Sequence, residues 1–426
     1  MKSCGTVVEY STVCAVSDFR PGVSGHWVPV GGIEKLPSRM VQEGAFRPAP
    51  LHDDLELSMS TYQAVADAQG ELGRLDEAAA RLPNREALVR VTQLREAGAS
   101  LDLDGLFVSL AEVMAMDLPH VDIPAAIDPR VLRFRRADDD AVARIAGGAS
   151  LAGTLLVRTA HMLAGGPSRE SDERAELMAR VPWRTGHAWL GGRFAEDANL
   201  LCVPPGPEMQ AAVAEFATWL EADTDLPLVV HLALAHLQFV LLSPVSYSDH
   251  LGRLMIPLAC IRANILRDQI LAPSLCFSYA NEEYRQQLRN FVDRGNFDAW
   301  VVFFANELRE LCKSQIELVY ALEEIRDELL NKLNRRNDGL ARLVDSLIST
   351  PVFNTELAMK LSGLGERQVR TLIATLERAD LVRTLDKNRW PRKKNQQVVR
   401  EVPAVVKAIG MLDHLPFRRD RTALDK

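Results

Sequence analysis

The chain has 426 residues, 47% hydrophobic and 25% charged, an ordinary globular composition that exceeds what one core usually organises, so two or three domains are expected. With 50 Lys+Arg against 57 Asp+Glu the formal charge is -7, which excludes a polycation that coats nucleic acid or membrane and leaves such binding to a local patch. The six cysteines form no CxxC pair, which argues against a disulfide framework and a structural zinc site, so a reducing compartment and no metal are expected. No apolar h-region opens the chain, and the longest apolar stretch, Leu226 to Leu242, is shorter than the roughly 20 residues that span a bilayer. We therefore expect a cytoplasmic protein with no membrane partner.

Residues 1–45 are glycine-punctuated, with β-branched pairs such as Val7-Val8, and read as short strands or an extended arm. From Leu55 the period turns helical: Tyr62, Val65, Ala68, Leu72 and Leu75 recur at three- and four-residue steps until Leu82-Pro83-Asn84. Helices are expected over 86–98 and 102–117, a connection between Pro119 and Ala137, and a further helical pattern from Asp138 to Ala164. The aromatic, glycine-broken segment 181–204 predicts a small hairpin. Helices follow at 206–222, 227–242, 251–267, 281–293 and 297–335, divided by Pro and Gly signals.

Between the helices of 227–242 and 251–267 lies a polar loop, 243–250, that enters a helix N-terminus, where free N–H groups and the helix dipole favour an anion. The residues here resemble the Fic (Fido-fold) family, whose active-site run reads HPFx(D/E)GNGRxxR between two such helices. His236 and Phe239 match its HxxF lead-in, and Pro244, Gly252 and Arg253 match its proline and closing Gly-Arg. Leu82-Pro83-Asn84, Arg95-Glu96-Ala97, Ser100 with Asp104-Gly105, the Val181-to-Gly191 segment, Val203-Pro204-Pro205 and Gly295-to-Trp300 resemble further family elements in the family's order.

The resemblance implies a histidine base, an acid that holds Mg²⁺ and a glycine-lined phosphate cradle for AMP transfer onto a target hydroxyl. This chain carries Ser243 for the histidine, Val245 for the phenylalanine, Tyr247 for the acid, Ser248 and Asp249 for Gly-Asn, and one residue fewer in the loop. A serine hydroxyl cannot serve as general base near neutral pH, a loss of typically 10²–10⁴ in rate. The expectation is a pseudoenzyme for AMP transfer. Ser243, Ser246, Tyr247, Ser248, Gly252 and Arg253 form the candidate ligand loop, and Asp249 and His250 are the catalytic candidates. If the loop is rebuilt rather than decayed, a nucleotide or other phosphate-bearing ligand with Mg²⁺ is the implied cofactor, and the alternative is an active transferase with a non-standard loop. By the same resemblance, Ser100, Asp104 and Gly105 stand at the inhibitory motif, with Asp104 expected to pair with Arg253. Trp183, Arg184 and Trp189 stand on a flap that docks a protein target by strand addition, with Arg184 the more exposed.

After Arg335-Arg336-Asn337 the apolar spacing marks three short helices and a basic ribbon, the pattern of a winged helix-turn-helix. The helix from Glu366 to Ala379 turns Arg367, Gln368, Arg370 and Thr371 outward, and the ribbon carries Arg389, Arg392, Lys393 and Lys394. These are donors suited to bases and phosphates, so DNA is the expected partner. A homodimer through the helix of 297–335 would read two half-sites.

The expected fold is thus mainly α: a Fic/Fido helical core with a small β-hairpin flap and a C-terminal winged helix. The expected divisions are an arm (1–45), an N-terminal helical region (46–135), the core (136–336) and the C-terminal domain (337–426).

Overall fold

A computed structural model describes residues 24–31, 33, 35–82, 84–103, 114, 118, 130–165, 181–191, 194–279, 281–332, 338–385 and 398–412. Asp104, Gly105, Arg389, Arg392, Lys393, Lys394 and most of the expected 102–117 helix lie outside them.

Strand β1 (Gly25–Val28) pairs antiparallel with β2 (Ala45–Pro48), and the short helix α1 (Ser38–Glu43) joins them. Gly44 makes the turn from α1 into β2 at φ 87°, where a Cβ would stand 2.3 Å from the Val28 carbonyl oxygen. Phe46 then makes an isolated parallel bridge to Cys202, so the described part of this N-terminal segment forms short strands fastened to the 181–204 segment.

The core is helical. It comprises α2 (Met59–Ala79), α3 (Arg85–Leu103), α4 (Arg130–Ala146), α5 (Thr154–Leu163), α6 (Pro207–Glu221), α7 (Leu228–Leu242), α8 (Ser248–Arg262), α9 (Pro273–Tyr279), α10 (Asn281–Arg294) and α11 (Phe297–Lys332). The hairpin expected within 181–204 is β3 (Trp189–Leu190) against β4 (Leu200–Leu201). Helix α7 is apolar almost all round, and packs on α8, α6, α11 and α2. Gly252 permits close approach of α7 and α8: a Cβ there would lie 3.3 Å from Phe239 Cδ1 and 3.4 Å from Val240 Cγ2.

Several boundaries differ from the sequence expectation. Helix α4 begins at Arg130, inside the expected connection, and Gly147, Gly148 and Gly153 divide the 138–164 pattern in two. The single helix α3 runs through Leu103 instead of ending at residue 98. Helix α9 went unforeseen, because its apolar run is too short to display a period. Most consequentially, α8 begins at Ser248, which shortens the loop to 243–247 and places His250 inside a helix.

Helix α11 packs its apolar face within this chain. Its buried stripe, including Phe304, Leu308, Leu311, Val319 and Leu322, is covered by α2, α7, α9, α12 (Asp338–Ser349) and α15 (Pro403–Leu412) of the same chain. Beyond α12 come β5 (Val352–Phe353), α13 (Thr355–Ser362), α14 (Glu366–Arg378), β6 (Arg383–Thr384) and β7 (Arg400–Glu401), with strand order β5-β7-β6, all antiparallel. Asn354 caps α13 by accepting from the Leu357 amide at 2.9 Å, and Gly363 ends it in the left-handed region. Helix α12 packs on both α3 and α11, and Arg326 donates to Asp345 at 2.6 Å across the α11–α12 contact. Among the described residues no helix is long and apolar enough to cross a membrane.

Candidate functional site

A cleft of about 900 Å³ opens between the flap segment 183–191, the loop and first turn of α8, and one side of α10. Trp183, Trp189, Ser243, Ser246, Tyr247, Ser248, Asp249 and Arg253 all line it, so sequence candidates from two distant segments meet at one surface. Arg184, a sequence candidate, lines it too, and Arg130, Thr185, His187, Tyr284 and Arg285, which were not site candidates in the sequence, add to the polar lining.

The loop is held by backbone conformation and by its own side chains. Ser243 ends α7 in the left-handed region (φ 42°), and Tyr247 opens α8 in the same region (φ 64°). The Ser248 hydroxyl donates to the Val245 carbonyl at 2.6 Å and accepts from the Val245 amide at 3.0 Å, so it closes the turn rather than facing a ligand. The Tyr247 ring packs edge-on against Phe134 at 5.3 Å, and Ser246 is exposed.

Arg184 corrects the expectation of an exposed docking residue. It is only 9% exposed, and its guanidinium donates to three carbonyl oxygens: Ser243 at 2.5 Å, Gly186 at 2.9 Å and Val203. The Arg184 amide also donates to the Pro244 carbonyl at 3.1 Å, and Trp183 bridges antiparallel to Val245. Arg184 therefore ties flap to loop. Its charge, after burial, keeps the neighbouring His187 below the ordinary histidine value.

His250 is corrected in the same way. Its ring is 1% exposed, stacks on Phe134 at 4.4 Å and does not line the cleft. Nε2 donates to Asp138 Oδ1 at 2.9 Å, and Nδ1 accepts the Ser100 hydroxyl at 2.7 Å. Ser100 in turn accepts from Arg253 Nη2 at 3.0 Å, Arg253 Nε donates to the Ser274 hydroxyl at 2.7 Å, and Ser274 donates to Glu96 from both hydroxyl and amide. Burial pushes the Glu96 carboxyl up, opposed by the Arg253 charge and by Ser274. The constellation Ser-His-Asp has the residue types of an acyl-transfer triad, yet Ser100 is 0% exposed and has no open face to a substrate.

Arg253 is thus engaged by Ser100 and Ser274 with Glu96 as the nearby acid, and Asp104 lies outside the described residues. His236 donates from Nδ1 to the Gly252 carbonyl at 3.1 Å and accepts the Tyr284 hydroxyl at 3.1 Å. Among the described residues no group of three or more His, Cys, Asp or Glu is placed to hold a metal ion. Among the described residues Asp249 is the one carboxylate lining the cleft, and it could serve a Mg²⁺–nucleotide as an acidic ligand.

In the C-terminal unit Arg367, Gln368, Arg370 and Thr371 are all exposed on α14. Arg370 forms a helical ion pair with Glu366 at 2.7 Å. Two further cations of the ribbon are paired: Arg383 with Glu401, and Arg400 with Glu377 at 2.7 Å.

Residues 62–142 match the family model described as Fic/DOC family N-terminal. Among solved structures, a Fic family protein from Desulfovibrio desulfuricans is similar at 18% identity with a TM-score of 0.51, over 82% of this chain and 98% of that one. Fic-1 from C. elegans is matched at 15% identity and a TM-score of 0.40, over 60% of this chain and 71% of that one. The chain thus carries a Fic/DOC N-terminal region over residues 62–142 and shares its helical fold with a solved Fic family protein.

Proposed function

We propose that this chain keeps the Fic fold without Fic-type AMP transfer, and that it acts as a regulatory protein that binds a phosphate-bearing ligand in the cleft and DNA through its C-terminal unit. The observation that carries this reading is Ser243: where the family resemblance puts a histidine base stands a helix-capping serine whose carbonyl Arg184 holds. No imidazole reaches the cleft from this loop, since His250 is turned into the core, and Tyr247 replaces the acid. A target hydroxyl would find a serine in place of the loop histidine that the resemblance assigns to proton removal.

Anion binding is supported by the amides of the first turn of α8, which lack a side-chain cap, and by Arg130, Arg285 and His187 around the same cleft. Trp183, Trp189 and Tyr247 supply apolar, planar surface beside Arg130 and Arg285. A protein target along the flap fits the same face. Thermal unfolding of the full chain with ATP, ADP or pyrophosphate tests the ligand: saturation at about 100 times Kd stabilises by about 2.7 kcal/mol. A rise in Tm that Arg285→Ala removes supports the cleft, and an unchanged Tm with all three removes this part of the reading.

Helix–strand–helix–helix followed by two strands, with the outer face of α14 polar and basic, supports a winged helix that lays α14 in the major groove. Contacts from Arg367, Arg370, Arg389, Arg392, Lys393 and Lys394 to about six phosphates give a log-log salt slope near -5. A flat salt response would remove DNA as partner. A homodimer on two half-sites needs a surface other than the apolar stripe of α11.

A second reading, transfer of a phosphate-containing group onto a protein hydroxyl, is favoured by Asp249, which lines the cleft and has the chemistry of a base or a cation ligand. A covalent mass adduct on this chain or a target would support it.

A further inference from the structure

We propose that the described residues of the segment from Ser24 to Ala49 form a strap that sets the position of the flap over the cleft, and that Arg289 is the positioning residue that fastens it. Arg289 lies on α10 directly after Leu288 and one turn after Arg285, both of which line the cleft, but it points to the other side of the flap. It is 5% exposed, and its guanidinium joins three parts of the chain. Nη1 and Nη2 reach the two carboxylate oxygens of Glu43 at 2.9 and 2.8 Å, a bidentate pair with the end of α1. Nη1 also donates to the Asn199 carbonyl at 3.3 Å, in the turn of the flap itself, where the Asn199 amide donates to Leu190 at 2.8 Å. Nε donates to Asp293 at 3.0 Å, which fixes the guanidinium on its own helix, and the Trp27 ring of β1 lies 5.4 Å from the guanidinium carbon.

The charges close into a ring. Arg39 donates to Glu43 at 2.6 Å and stands 3.7 Å from Asp293, so two cations alternate with two carboxylates. Hydrogen bonds from Arg289 and Arg39 hold the Glu43 carboxyl below its ordinary value, against burial, which raises it.

Apolar contacts run along the same seam. Met40 and Ala45 from the strap pack with Ala198 and Leu201 from the flap, and Trp189 lies against the same group. This small cluster is separate from the main core, and among the described residues the apolar partners it gives the flap all come from the strap. Further along, Ser24 donates to the Val292 carbonyl at 3.0 Å, Gln238 to the Ala49 carbonyl at 2.9 Å, and Phe46 bridges to Cys202. A two-residue hairpin ladder is marginal by itself, so the flap takes its order from what it is fastened to. On the loop side that is Arg184, and on the outer side it is the strap through Arg289. Because Arg184 ties the flap at residues 184–186 and Arg289 at Asn199, release of the strap frees the Trp189 end of the flap while the Arg184 end stays fixed.

The strap acts on the flap whichever ligand the cleft takes, so its test needs no ligand. Hydrogen–deuterium exchange on the full chain, wild type against Glu43→Gln, Arg289→Lys and Arg289→Ala, reads local opening segment by segment. Glu43→Gln is expected to speed exchange at residues 188–202 by tenfold or more and to leave 228–242 and 303–322 unchanged. Arg289→Lys keeps the charge but loses the fork, and is expected to fall between wild type and Arg289→Ala. The exchange of Glu43→Arg with Arg289→Glu should restore part of the protection lost in each single variant. Unchanged exchange at 188–202 in Glu43→Gln, or a rise of equal size along the whole chain, would overturn the proposal. Should Arg289→Ala fail to fold, Glu43→Gln, on the more exposed partner, decides the matter alone.

Discussion

Asp138 and His250, 112 residues apart in the chain, meet at 2.9 Å in a pocket that neither shares with solvent. Through Ser100 the contact continues to Arg253 and, by way of Ser274, to Glu96, so α8 is bolted to both α3 and α4. Each donor in this chain has an acceptor: Arg253 to Ser100, Ser100 to His250, His250 to Asp138. A fully satisfied buried network specifies one arrangement of its helices, because any slip leaves a polar group dry and unpaired.

His250→Ala should therefore destabilise the fold by about 3–5 kcal/mol, the range for leaving a buried charge without its partner. Asp138→Asn keeps an acceptor for Nε2 and should cost only about 1–2 kcal/mol. Urea unfolding midpoints at constant slope distinguish the two, and equal costs would mean that the Asp138 charge does not matter.

Arg184→Ala should lower stability by at least about 2 kcal/mol, since the carbonyls of Ser243, Gly186 and Val203 lose a shared donor in a buried setting. Arg184→Lys should recover little, because an ammonium group cannot reproduce the planar fork. Trp183 flanks this contact, so a change in tryptophan emission that precedes global unfolding is the expected signature.

His236 makes stability fall in acid. Burial, reinforced by the Arg253 charge and opposed by the Gly252 carbonyl, lowers it to about 4 from 6.5. Below about 6.5 the unfolded chain takes up a proton that the native imidazole refuses, so stability drops as pH falls, until the native state also protonates near 4. The loss from this one residue sums to about 3 kcal/mol at most. His236→Gln should flatten the pH dependence of unfolding across this window, and an unaltered slope would assign the acid sensitivity to other groups.

Gly252→Ala should cost about 1–3 kcal/mol, as its methyl group would press on Phe239 and Val240 across the α7–α8 contact. Differential scanning calorimetry would read this as a lowered Tm, while a variant as stable as wild type would show that the two helices can separate without penalty.

Much of this was legible in the sequence where a local signal existed. The helices of 228–242 and 297–332 announced themselves by apolar period and by flanking Pro and Gly, and the hairpin by tryptophans set among glycines. The meeting of Trp183 and Trp189 with Ser243 to Asp249 followed from the resemblance, since no spacing joins segments so far apart. The inward turn of His250 was not legible: it depends on α8 starting at Ser248, with Tyr247 in a left-handed conformation that no residue preference signals for tyrosine. Nor were the partners of Arg253, Arg184 and Arg289, because each pairs across tens to hundreds of residues with groups that look ordinary in isolation.

The claim that most needs a direct trial is that this loop does not transfer AMP. We would incubate wild type, Ser243→His and Asp104→Ala with α-phosphate-labelled ATP and Mg²⁺ in a cell lysate and follow protein-bound label. No label is expected on any of the three, since one histidine restores neither the acid at Tyr247 nor the glycines and the missing residue of the loop. Label that appears with Ser243→His would mean that the phosphate cradle is intact, and label in wild type or Asp104→Ala would mean a working transferase with a different base.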